Sequence, residues 1–428
     1  MSTRSRFYFS ISLALILLSI AQSEPTQSEF VLQWSPRIIA AIQTSTASPC
    51  LASRNLAIIH IAAFDAVNAI QPKYESFAFK AAPTRKIDPT IAAIAAISFG
   101  AERLFPTYRG SFKSLRDQQY SYLKKDLDEA IWIRSVEFGE SVAKVIIDQR
   151  ADDGSTSNLT YIPKDEIGKW KRTPPRFRPP ELSYWSHTRP FAIENAAQFR
   201  LPPPPPLNSD RYTQALDEVR EIGSIQSQSR TADQTEIAEF WACFSYTSTP
   251  AGHWYEIATR LARQENLSLI ETTRLLALAN IAMADAGIAC WDTKYHYESW
   301  RPIQAIRAAD QDGNPNTRLD PTWDSLLESP PHPEYVSGHA AFSGAGSMIM
   351  ELYFDAQDGY SFSTTSSSLP GVVRHFDSFA KCTEEICLSR LYGGIHFRYS
   401  NDLGLMLGEQ VARFVFESQL RPLKVGLQ

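Results

Sequence analysis

The 428-residue chain carries 42 Lys and Arg against 47 Asp and Glu, a formal net charge of −5, so it has neither the basic footprint of a nucleic-acid binder nor a polybasic membrane patch. Its five cysteines are too few for a disulfide scaffold, and an odd number in an exported protein leaves at least one unpaired. The length exceeds what one hydrophobic core usually serves, so two packed units or one large helical body are expected.

In chain order, the first segment, MSTRSRFYFSISLALILLSIAQSE, has Arg4 and Arg6, an apolar stretch from Phe7 to Ile20 and a small-residue AQS site. This is the pattern of a secretory signal over residues 1–23 cut after Ser23, and it predicts a secreted or periplasmic chain. Beyond it no run of about 18 uncharged apolar residues occurs, since His60 and Asp65 interrupt NLAIIHIAAFDAVNAI, and an integral membrane protein is not expected. That segment, ETTRLLALANIAMADAGIA and NDLGLMLGEQVARFVFESQL repeat apolar residues at three and four, the helical period, while alternating runs are scarce. The fold class is therefore all-α. Proline interrupts any helix from Tyr161 to Asp210, which predicts a long ordered or extended connector. The boundary falls near Pro202–Pro206, giving an N-terminal helical unit over 24–206 and a C-terminal one over 207–428. DQDGNPNTRLD has its glycine at the fourth position rather than the sixth of a calcium loop, and reads as a surface loop. Cys382 and Cys387 are close enough in sequence to close a local loop.

Chemistry concentrates in the C-terminal unit. In KYHYESWRP, Lys294 and Arg301 stand seven apart, two turns along one face if the helix continues. Two cations in an aromatic, partly buried segment need an anionic partner. In EYVSGHAAFSGAG, Ser337 is a good N-cap, Gly338 admits a ligand to the backbone, and His339 sits where a helix start favours an anion. The small residues that follow make a narrow helix. In SRLYGGIHFRYSNDLG, Gly393-Gly394 lets the chain turn so that Arg390 and His396 reach one point. One lysine, two arginines, a hydroxyl, backbone donors and two histidines are what a tetrahedral oxyanion requires.

This arrangement, K-x6-R-P, S-G-H and S-R-x5-H, resembles the signature of the vanadium-dependent haloperoxidases, which share their anion pocket with type 2 phosphatidic acid phosphatases and bacterial acid phosphatases. QFRLPPPPPLNSDRY, EIAEFWA and PAGHW extend the resemblance over roughly Ile38 to Phe416. It implies two four-helix bundles with a single pocket in the second, holding one vanadate per chain. His396 is then the metal-bound nitrogen, Lys294, Arg301, Arg390, Ser337 and Gly338 hold the oxygens, and His339 is the acid–base residue, a role that asks for a pKa near neutrality. His332 in PPHPEY is the halide-side candidate. The implied partners are hydrogen peroxide, halide (bromide or iodide favoured) and a small organic acceptor, and a homo-oligomer is compatible. Two other readings use the same pocket: a phosphatase working through a phosphohistidine at His396, and a non-catalytic oxyanion-binding protein. The chain departs from the family pattern at Val336, where proline is usual before S-G-H, and at Cys243-Phe244, where relatives often carry an aspartate that orients the acid–base histidine.

Overall fold

The computed structural model describes residues 24–45 and 47–424, so segment 1–23, read from its sequence as a secretory signal, lies outside the described residues. The helices, in order, are α1 (Gln27–Leu32), α2 (Ser35–Ser45), α3 (Pro49–Ile70), α4 (Pro89–Leu104), α5 (Arg109–Leu123), α6 (Glu129–Gln149), α7 (Asp210–Ile222), α8 (Ala232–Phe240), α9 (Thr249–Gln264), α10 (Leu269–Tyr297), α11 (Pro302–Arg307), α12 (Gly338–Phe354), α13 (Phe379–Tyr392) and α14 (Arg398–Ser418). Between α12 and α13 a short antiparallel hairpin pairs β1 (Phe362–Thr365) with β2 (Val373–Phe376), Phe362 opposite Phe376. The chain is mostly helical, as its periodicity predicts.

Helices α3, α4, α5 and α6 pack on one another, as do α10, α12, α13 and α14, and α3 lies along α10 so that both sets share one continuous core. The two central helices are apolar all round because they are enclosed all round. By length and composition each is apolar enough to cross a membrane, yet 94% of each apolar window is buried inside the protein. Ser48 caps α3 by accepting from the Leu51 N–H, with Pro49 in the first turn, and the Ser268 N–H of α10 is taken up by Glu271, so both long helices start where their sequences say. The α12–α14 crossing is closer still. A Cβ at Gly408 would lie 2.1 Å from the Ala341 carbonyl oxygen, and one at Gly404 2.6 Å from that of Ser337, which forces the start of α12 against the start of α14.

Residues 151–209 contain no α-helix, only a single 3-10 turn at Trp185–His187, and they are held rather than loose. Asp285 of α10 accepts hydrogen bonds from three successive backbone N–H groups, Phe191 at 2.7 Å, Ala192 at 2.7 Å and Ile193 at 3.0 Å. Arg200 makes a two-pronged pair with Asp292 at 2.6 and 2.8 Å. Helix α3 uses the same device on its own loop, Asp65 accepting from Phe77, Ala78 and Phe79 at 2.8 Å each. The five cysteines are all buried free thiols. Cys382 and Cys387 do not close a loop because both lie on the continuous helix α13, five positions apart, where side chains diverge by about 140°.

Removing the Asp285 carboxylate strands three N–H groups, two of them already half-buried. Asp285→Ala is expected to lower the free energy of unfolding by roughly 2–4 kcal/mol in denaturant titration. It should also open the 151–209 segment to limited proteolysis that the wild type resists.

Candidate functional site

The three sequence pieces meet at the start of α12. Lys294, in the last turn of α10, is fully buried and donates to the carbonyls of Pro333 at 3.0 Å and Glu334 at 2.9 Å. Arg301 is not on the same helix, contrary to the expectation from its spacing. Helix α10 stops at Tyr297, Glu298 adopts a left-handed φ of 56°, and Arg301 begins α11 after the chain has turned. The turn delivers it to the same place all the same. Its guanidinium is fully buried and donates to the carbonyls of His332 at 3.0 Å and Ile395 at 2.9 Å, to His332 Nδ1 at 3.0 Å and to His396 Nε2 at 3.2 Å.

Arg390, near the end of α13, donates to the Trp241 carbonyl at 2.5 Å and to His339 Nε2 at 3.3 Å. Six residues on, His396 reaches the same cavity because α13 ends at Tyr392 and Gly394 takes a φ of +73°. A side chain there would meet the Gly223 carbonyl at 2.3 Å. Ser337 caps α12 through the Ala340 N–H at 3.5 Å. The Tyr335–Val336 peptide that precedes it is cis. Gly338 leaves the backbone uncovered: a Cβ there would touch Trp291 at 3.3 Å and the end of Lys294 at 3.9 Å. A cavity of about 170 Å³ opens over this point, with His332, Gly338, His339, Arg390 and His396 in its wall. Lys294, Arg301 and Ser337 stand behind the wall, fully buried.

The electrostatics are unusual for a protein interior. Among the described residues none of the three cations forms an ion pair, and their partners are carbonyls, imidazole nitrogens and, for Arg390, the Ser389 hydroxyl at 3.0 Å. Burial lowers the pKa of Lys294 and brings Arg301 and Arg390 each down to about 10. The one carboxylate in the cluster is Glu334, which the sequence reading passed over. Its Oε1 accepts from His396 Nδ1 at 2.7 Å and from the Phe397 N–H at 3.1 Å, while Oε2 has no partner. Burial pushes Glu334 upward, against the pull of Arg301 and Lys294. The carboxylate fixes the tautomer of His396: Nδ1 carries the proton, and Nε2 keeps a lone pair, which here accepts from Arg301 at the cavity wall. In sequence Glu334 stands between proline and tyrosine, three positions before Ser337, and nothing local marks it.

His339 is oriented from two sides, by Arg390 at Nε2 and by a hydrogen bond to the Ala242 backbone. Burial first, then Arg390, holds its pKa well below the ordinary histidine range, not near neutrality as its expected role asks. No carboxylate takes the place of the family's aspartate. Cys243 occupies it with a left-handed φ of 45°, its N–H on Ser368 Oγ at 2.9 Å and its thiol 4.0 Å from His253 Nδ1. His332 is fixed between Arg301 and the ring of Trp291, 4.9 Å away. The donor set fits a tetrahedral oxyanion on grounds of charge alone: three buried cations, an N-terminal helix turn and a single carboxylate that burial drives toward neutrality.

Comparison with known proteins gives a consistent result. A family model described as the VCPO second helical-bundle domain matches residues 274–424. The vanadium chloroperoxidase of Curvularia inaequalis is 25% identical over an alignment covering 90% of this chain and 81% of that protein. The crystal structure of a bacterial vanadium-dependent iodoperoxidase superposes with a TM-score of 0.81 and 30% identity, over 92% of this chain and 97% of that one. A holo-type bacterial vanadium-dependent chloroperoxidase shares the fold, with a TM-score of 0.68 and 18% identity.

Arg390→Ala is expected to weaken binding of orthovanadate or phosphate more than tenfold in calorimetry, since a charged hydrogen bond in such a place is worth about 1.5–3 kcal/mol. Glu334→Gln keeps the shape but removes the charge behind His396, and is expected to weaken vanadate more than phosphate, by about 10–100-fold. Equal losses for both anions would mean that Glu334 acts on the pocket as a whole and not through His396.

Proposed function

The chain belongs to the vanadium-dependent haloperoxidase family, whose members are peroxidase oxidoreductases, and from that premise we propose that it oxidises halide with hydrogen peroxide, using one bound vanadate per chain, with bromide or iodide preferred over chloride. The observation that carries this reading is the set of three fully buried cations without a counter-ion. In this reading Lys294, Arg301, Arg390, the Ser337 hydroxyl and the Gly338 N–H hold the vanadate oxygens, and His396 Nε2 binds the metal. Bound vanadate supplies a Lewis-acid centre that activates peroxide toward two-electron oxidation.

The protein's own groups supply the rest. Glu334 keeps His396 neutral and aimed. His339 exchanges a proton at Nε2, the atom now held by Arg390. An anion in the pocket shares the charge of Arg390 and raises the proton affinity of His339, which brings it toward the range useful for acid–base work. Trp291, Phe342 and Pro330-Pro331 wall the cavity and limit water around the oxidised halogen. The halide preference rests on two arguments: iodide and bromide are easier to oxidise, and His332 gives the halide side a polar wall. Hypohalous acid then reaches a small organic acceptor. The segment 1–23 supports export of the mature chain, cut after Ser23.

Purified protein loaded with orthovanadate is expected to brominate a phenol dye when given bromide and peroxide, and excess phosphate is expected to suppress this by competition. His396→Ala should lose vanadate retention. His339→Ala should retain it while turnover falls about 10²–10⁴-fold. If vanadate-loaded protein halogenates nothing with any halide, while the vanadate-free protein hydrolyses a phosphomonoester and is inhibited by vanadate, the phosphatase reading replaces this one.

A further inference from the structure

One carboxyl in the cavity wall has no part in the scheme above. Glu181 lies on the connector, and its backbone is fixed: the N–H donates to the Pro331 carbonyl at 2.8 Å, and the carbonyl accepts from Tyr295 Oη at 2.8 Å and Trp291 Nε1 at 3.4 Å. Its side chain lines the same cavity as His332, His339 and His396. The carboxyl itself has neither a hydrogen bond nor an ion pair among the described residues. Arg178, three positions earlier, is the nearest cation in sequence, and it is turned to Glu328 at 3.3 Å, which also takes Arg176. Glu181 is half-buried and faces the cavity space rather than a protein partner, so any charge it carries acts directly on what enters.

Resting on the haloperoxidase reading, we propose that Glu181 is a charge gate for the halide: the neutral acid leaves the cavity wall open to an entering halide ion, and the carboxylate repels it. The groups facing Glu181 favour this division. Arg178 comes from the connector, Cys50 from α3 and Tyr295 from α10; burial pushes the thiol and the phenol upward, so both stay neutral while Glu181 titrates. Across the cavity burial holds His332 below the ordinary histidine range. His339, which bound vanadate brings toward its working range, titrates alike in the wild type and in Glu181→Gln, so comparison of the two separates its contribution from that of Glu181. Burial raises Glu181 itself, and Arg178 offsets this only in part, so its ionisation falls above the usual carboxylate range. Lys294 and Glu334 behind the wall also titrate outside their usual ranges, and substitution at position 181 separates their contribution from that of Glu181.

The test is the halide KM of vanadate-loaded enzyme as a function of pH, at saturating peroxide. In the wild type KM for bromide or iodide is expected to rise roughly tenfold or more as pH passes through the Glu181 ionisation, as a like charge introduced near the halide path requires. In Glu181→Gln the rise is expected to vanish, with the effect on KM rather than kcat, and Glu181→Asp is expected to restore it. A second readout is independent of turnover. Trp291 is 3% exposed and lines the cavity, so the part of iodide fluorescence quenching that Trp291→Phe removes reports halide entry. That part should fall with rising pH in the wild type and stay level in Glu181→Gln. An unchanged KM profile in Glu181→Gln, or a loss of kcat with KM unmoved, overturns the gate. If the wild type oxidises no halide, the haloperoxidase reading fails, and the quenching profile then decides the gate alone.

Discussion

Three cations buried together without a counter-ion are the constraint from which most of this structure follows. Taking Lys294, Arg301 and Arg390 out of water costs several kcal/mol each unless something offsets it. The protein offsets it with backbone carbonyls: those of Pro333 and Glu334 for the lysine, His332 and Ile395 for one guanidinium, and Trp241 for the other. All of these lie outside helices, and the one helical carbonyl Arg390 reaches, that of Ala238 in α8, is at the long distance of 3.5 Å. A helical carbonyl is already committed to the N–H four residues on, so solvating buried cations requires irregular segments at the core. The loop 331–337, the end of α8 and the Gly393–Phe397 turn are those segments. They are polar backbone held indoors, and the close α12–α14 crossing, with glycine on both helices, keeps them from shifting. Carbonyl dipoles solvate a cation without cancelling its charge. The pocket therefore keeps a net positive potential that an oxyanion completes.

The same logic explains why the connector is long yet ordered. It runs along α10, tied by Asp285 and by Asp292, and it closes the side of the cavity that the helices leave open. The interior of a helix there would present no free N–H groups to Asp285, whereas the non-helical run 191–193 offers three in succession. The result is a cavity with one wall built from helix ends, which carry the cations and histidines, and another from the connector, which carries Arg176, Arg178 and Glu181. In the scheme proposed above, the first wall sets what anion is held and the second what approaches it.

Much of this was legible in the sequence, and the part that was not has a physical reason. The helices read correctly because their apolar positions recur at three and four. Lys294, Arg301, Ser337, Gly338, Arg390 and His396 were visible as a set because charges in aromatic or small-residue surroundings are out of place. The path of the chain between Lys294 and Arg301 was hidden, since the break at Glu298 is made by a residue with no helix-stopping signature. Glu334 was hidden for a related reason: its importance lies in a contact 62 positions away, with the His396 ring, and no local pattern encodes such a distance. Nor does sequence show that the neutral partner of Arg390 is His339, which determines that ring's basicity.

That last contact changes how the departure at Cys243 is understood. A carboxylate beside His339 would raise its proton affinity permanently. Here the ring is held instead by a guanidinium donating to its lone pair, which lowers that affinity for as long as the arginine has no anion to face. When an oxyanion draws the charge of Arg390 toward itself, the hydrogen bond to Nε2 weakens and the ring becomes a better base. By linkage, a proton on His339 must in turn favour the bound anion. In the function proposed above, the cysteine at this position therefore leaves acid–base chemistry at His339 available but conditional on occupancy. On that reading, the histidine at the start of α12 acquires its working proton only when the anion that needs it is present.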